Sequence, residues 1–166
     1  MRSLKAILEK PFLIWVLVGL LYGGVFWWRA QFKEPSISEV KSLEVLAQFA
    51  ESSFPPKIDL VRNLQDYGGH LAYYAVFGRI YSLAQGDLFI LRVAGIITMV
   101  AAFFLFVALG VHYTYRNRLN PLWVSLGLLV LAANPYSFDS AMRVSYLGFF
   151  MFTLLLSLWA VEKEKD

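Results

Sequence analysis

The sequence predicts an all-α integral membrane protein, with about four transmembrane helices and two juxtamembrane helices in its first outer loop. Three observations carry that reading. Hydrophobic residues make up 58% of the chain and charged residues only 16%, whereas a soluble domain is about half apolar and about a quarter charged. The excess apolar surface must therefore face something other than water. Val93–Val111 holds no charged residue, and as a helix rising about 1.5 Å per residue it approaches the ~30 Å of a bilayer's hydrocarbon core. Finally, Lys and Arg fall in short clusters beside apolar runs, the pattern that membrane topology imposes.

Taken in order, Met1–Lys10 is a basic cap bearing Arg2, Lys5 and Lys10, and a first span follows at about 11–28. The run ends in Phe26-Trp27-Trp28-Arg29 with no small-x-small cleavage site, so it reads as an uncleaved span with an interfacial Trp anchor and not as a signal peptide. The stretch 29–87 is too charged to cross. Within it, Ile37, Val40, Leu43, Leu46, Ala47 and Ala50 recur at helical spacing, which predicts a juxtamembrane helix over about 36–51. Phe54-Pro55-Pro56 stops that helix. A second surface helix is expected over about 70–85, where Arg79, Ser82 and Gln85 mix with aromatics and Gly86 offers a C-terminal cap. Further spans are expected at about 88–112, 121–134 and 144–161, all within a single domain covering 1–166.

Four spans place Arg2, Lys5 and Lys10 on the same side as Arg116, Arg118, Lys163 and Lys165. That side is cytoplasmic by the positive-inside rule, with both termini inside and 29–87 and 134–143 outside. A fifth span at 70–85 would set the two terminal clusters against each other. In span one, Gly19 and Gly23 have the Gly-x-x-x-Gly spacing that permits close helix packing, and Gly24 follows.

The net charge is only +3 and no basic stripe with stacking aromatics appears, so nucleic acid is not an expected partner. Absence of cysteine excludes disulfides, thiolate metal sites and cysteine nucleophiles. No Walker loop, zinc-ligand pattern or nucleophile elbow is present, and no metal or cofactor is predicted.

The order of short motifs resembles the N-terminal part of GT-C membrane glycosyltransferases of the protein-mannosyltransferase and lipid A aminoarabinose-transferase type. The corresponding residues are Ser38-Glu39, His70-Leu71-Ala72-Tyr73-Tyr74, Gly86-Asp87, Leu91-Arg92, Asn134-Pro135-Tyr136, Arg143 and Tyr146. The family has an Asp-Glu pair where Ser38-Glu39 stands, and prolines where Leu71 and Ala72 stand. It also carries more spans and usually a soluble C-terminal domain. The resemblance implies a truncated module with a degenerate acidic motif, in the bacterial cytoplasmic membrane, with a polyprenyl-phosphate-linked sugar as donor substrate. The departures at Ser38, Leu71 and Ala72, with the short length, lead to the expectation that the isolated chain is inactive. The alternative is a non-catalytic accessory subunit of a larger membrane complex.

Such chemistry needs a carboxylate to take the acceptor's proton and cations to stabilise the departing phosphate. Glu39 is the candidate base, although Ser36-x-x-Glu39 is also a capping box. Asp59 and Asp66 share the same loop. His70, Tyr74, Arg92 and Arg143 are the candidate substrate-binding residues. An Arg at the outer boundary either grips a lipid phosphate or pairs with a carboxylate such as Asp87 or Asp139. A His at a helix start either orients substrate or serves the cap, and His112 reads as interfacial. Tyr73, Tyr74 and Tyr81 fit an interfacial aromatic belt.

Overall fold

The computed structural model describes residues 2–52, 70–117, 126–127 and 143–163, with side chains from Trp15 onward except those of Tyr115 and Asn117. Its regular elements are helices: α1 (Arg2–Phe32), α2 (Ile37–Glu51), α3 (Leu71–Leu83), α4 (Leu88–Asn117) and α5 (Tyr146–Lys163). The described residues contain no strand.

Two helices, α4 over Leu88–Thr114 and α5, are long and apolar enough to cross a bilayer. This is a smaller number than the four spans expected, and the described residues do not support the full count. The expected span 11–28 lies within the longer helix α1, whereas 121–134 falls outside the described residues apart from 126–127. Composition alone would also suit core helices of a soluble protein, but such helices are covered by neighbours. Here Ile97 on α4, Phe150, Leu154, Leu156 and Leu158 on α5, and Leu17, Leu20 and Leu21 on α1 are exposed. Large apolar side chains laid out this way on three adjoining helices suit lipid contact better than water.

Packing fixes the relative directions. Trp15 lies by Val107 and Val111, while Phe26 lies by Ile96, so α1 runs antiparallel to α4. A Cβ on Gly148 would lie 3.2 Å from the Gly95 carbonyl oxygen, and Arg116 reaches Glu162 at the other end. Helices α4 and α5 are therefore parallel. Asn117 and Val144 consequently lie at opposite ends of the pair.

Helices α2 and α3 cover the end of this bundle where α1 finishes and α4 and α5 start. Ser36 begins α2 with the expected capping box: its Oγ accepts from Glu39 N–H at 3.3 Å, and its own N–H donates to Glu39 Oε2 at 3.4 Å. Leu83 ends α3 in a Schellman turn, in which Gly86 N–H donates to the Tyr81 carbonyl at 3.0 Å. Both Gln85 (φ 53°) and Gly86 (φ 77°) adopt positive φ, a conformation glycine accepts without strain. Asp87 then opens α4, its Oδ1 accepting from Phe89 N–H at 2.8 Å. Beneath the two short helices lies the main core, formed by Val45, Leu46, Phe49, Tyr73, Tyr74, Phe77, Leu91 and Val144.

Candidate functional site

Glu39 and Arg92, separated by 53 positions in sequence, meet in a buried bidentate pair. Arg92 Nε donates to Glu39 Oε1 at 2.9 Å, and Nη2 donates to Oε2 at 2.8 Å. The carboxylate is 0% exposed and the guanidinium 3%, so neither is open to a substrate in this arrangement. The cation's partner is thus Glu39, not Asp87, whose carboxylate serves the start of its own helix. Asp139, Asp59 and Asp66 lie outside the described residues.

The pair organises four helices. Arg92 Nη1 donates to the carbonyls of Ala30 at 2.9 Å and Lys33 at 2.6 Å, at the end of α1, where helix carbonyls lack internal partners. A cation there also complements the negative end of the helix. Glu39 occupies the first turn of α2, where the helix favours an anion. Its Oε1 additionally accepts from Val144 N–H at 2.9 Å, just before α5.

A carboxylate offers about four acceptor positions. Arg92 takes two, Val144 a third and Ser36 the fourth. Burial alone pushes the Glu39 carboxyl upward, but the Arg92 hydrogen bonds and charge, together with the Val144 and Ser36 N–H groups, outweigh it and hold the carboxyl below its ordinary range. Such a carboxylate is a poor proton acceptor. It is a fully satisfied structural anion.

The remaining candidates divide between core and groove. Tyr74 is 2% exposed and stacks on Phe49 with ring centroids 5.9 Å apart, which places it in the core. Arg143 is half-buried beside α4, its carbonyl oxygen 3.3 Å from where a Cβ on Gly95 would stand. His70 takes the N-cap position of α3, yet its side chain makes no cap hydrogen bond. Instead its ring stacks on Tyr146, with centroids 3.6 Å apart and planes at 25°. The structure thus joins Glu39 to Arg92 and, separately, His70 to Tyr146.

The His70–Tyr146 stack borders a groove of about 320 Å³ that also touches Leu71, Tyr73, Phe149, Phe150 and Thr153. Tyr73 is 2% exposed, and its hydroxyl has no hydrogen-bond partner among the described residues. An unmet buried hydroxyl costs about 1–3 kcal/mol. Burial, with Tyr74 and Glu39 nearby, pushes its ionisation far above the usual phenol range. It is a neutral donor in search of an acceptor.

Among residues that sequence reasoning passed over, Val144 and the Ala30 and Lys33 carbonyls act through the backbone, which residue identity does not reveal. Tyr73 and Tyr74, expected from the sequence in an interfacial aromatic belt, are instead buried in the core. No group of three or more His, Asp or Glu capable of holding a metal occurs among the described residues. Compared with known proteins, the chain matches no family model, no curated protein and no solved structure.

Proposed function

We propose that this chain is a membrane module of the GT-C glycosyltransferase lineage that transfers no sugar by itself and serves as an accessory subunit of a larger membrane assembly. One observation supports this most: the acid and the cation that the chemistry would employ are spent on each other, with no acceptor position left on Glu39. In the same reading the chain crosses the bacterial cytoplasmic membrane four times, with both termini inside. Helices α1, α4 and α5 supply three crossings, and the expected span 121–134 occupies the sequence interval between the two parallel helices. The sugar-linked polyprenyl phosphate is then a ligand of the lineage, handled by a partner subunit.

The test is a transfer assay on the purified chain in lipid nanodiscs, supplied with a polyprenyl-phosphate sugar as donor and hydroxyl-bearing lipids and peptides as acceptors. The parent should release no free polyprenyl phosphate, and Glu39→Gln should lower thermal stability. Turnover by the parent, abolished in Glu39→Gln with stability unchanged, would return Glu39 to the role of base and sink the accessory reading.

A further inference from the structure

We infer that the ends of α4 and α5 remote from the α2–α3 cap form a proton-sensitive clamp, in which a protonated His112 joins Arg116 in holding Glu162 and draws the two helices together. The stripe of α4 that faces α5 leads to it. Ala102, Leu105 and Leu109 lie on that stripe and pack in one cluster with Leu155 and Trp159. His112 and Arg116 continue the same three- and four-residue spacing. An apolar helix seam thus ends in two basic side chains, and both approach one carboxylate.

That carboxylate belongs to Glu162 on α5, whose side chain is 12% exposed. Arg116 Nη1 donates to its Oε1 at 2.6 Å, and the Tyr113 hydroxyl donates to Oε2 at 3.2 Å. His112 Nε2 stands 3.9 Å from the same Oε1, within reach of charge attraction but beyond hydrogen-bond length. With Leu109, Trp159 and Lys163, His112 and Glu162 line a cavity of about 40 Å³. The imidazole therefore has space to close the remaining distance.

The two basic groups respond differently to pH. Arginine keeps its charge throughout, whereas histidine changes charge between about pH 5 and pH 8. The charged and titratable groups around His112 are Tyr113 and Arg116 on α4, and Glu162 and Lys163 on α5. Helix α1 sets Trp15 by Val107 and Val111, on another stripe of α4, and brings Glu9 and Lys10 to this end. Lys163 lies over the Trp159 ring, its Nζ 5.7 Å from the centroid. Arg116 follows His112 by one helical turn, about 5–6 Å between Cβ atoms, while the Glu162 oxygen is 3.9 Å from Nε2. The anion is the nearer charge, so a proton on His112 adds attraction across the seam. The clamp tightens as pH falls through the histidine range and relaxes as pH rises. The inference rests on neither the transfer chemistry nor the accessory reading.

The experiment is thermal unfolding of the full chain in one detergent, at about pH 5.5 and about pH 8, near the two ends of the histidine range. It compares the parent, His112→Gln, Glu162→Gln and the double variant as a cycle. At the acid value His112→Gln should lower the unfolding temperature by several degrees in the parent, and leave it unchanged or raise it in the Glu162→Gln background. At the alkaline value it should have the same small effect in both backgrounds. His112→Lys, cationic throughout, should couple to Glu162 at both values, an outcome that a purely packing role for His112 cannot produce. The same effect of His112→Gln in both backgrounds at the acid value would overturn the clamp. So would coupling of His112 to Glu162 that is equal at the two values.

Discussion

At the residue scale, the stability of the α2–α3 cap turns on the Glu39–Arg92 pair. Removing one partner of a buried ion pair leaves a charge that neither water nor protein satisfies, at a cost of about 3–5 kcal/mol. Arg92→Met and Glu39→Gln should therefore each destabilise strongly in a denaturant titration of the reconstituted protein. Combining them should cost less than the sum of the two losses, because the double variant leaves neither charge stranded. Strict additivity would show that the pair is not coupled.

The pH dependence follows from the lowered Glu39 carboxyl. A folded-state value below the unfolded value contributes stability that is present above the unfolded carboxylate range. That stability is lost as pH falls through the folded value. Acid below about pH 4 should thus weaken the parent more than Glu39→Gln, and parallel acid profiles would remove Glu39 from the account. Ser36-x-x-Glu39 was legible in sequence as a cap, and the cap forms. What sequence did not show is that the same carboxylate turns its remaining capacity toward Arg92 and Val144, since pairing across 53 and 105 positions leaves no local signature.

At the scale of elements, three close approaches set how the helices meet, and each involves a glycine. A Cβ on Gly78 would come within 2.8 Å of Phe49 Cβ, between α2 and α3, and one on Gly19 within 2.9 Å of the Phe103 ring, between α1 and α4. Gly148 faces the backbone of α4 in the same manner. By contrast, nothing lies within 4 Å of a Cβ built on Gly24. Gly78→Ala should cost about 1–3 kcal/mol through overpacking, whereas Gly24→Ala should gain about 0.5–1 kcal/mol from its higher helix propensity. Thermal unfolding in one detergent would check both, and equal effects would refute the packing argument. The Gly-x-x-x-Gly spacing at 19 and 23 marked the α1 face correctly, with Val100 lying 3.3 Å from a Cβ on Gly23. Gly78 gave no such warning, because its partner Phe49 lies on another helix and no spacing rule connects the two.

For the whole molecule, the directions of three helices are what make a membrane topology testable. Helix α1 antiparallel to α4, and α4 parallel to α5, puts the α2–α3 cap at one end and the Arg116–Glu162 pair, 2.6 Å long, at the other. Between those ends α4 runs uncharged from Val93 to Val111. Hydropathy made the two apolar helices legible in advance, since length and composition are local quantities, but their mutual direction depends on contacts that sequence does not carry. The chain has no cysteine, so single cysteines report position without background. Lys41→Cys on α2 and Lys163→Cys at the end of α5 replace exposed residues. A maleimide that cannot cross membranes should label Lys41→Cys in intact bacterial cells, and Lys163→Cys only after the membrane is opened. The reverse pattern would keep the crossing and invert the orientation. Labelling of both sites in intact cells would place the two ends on one side, and the apolar faces of α4 and α5 would then have to be covered by protein instead of lipid.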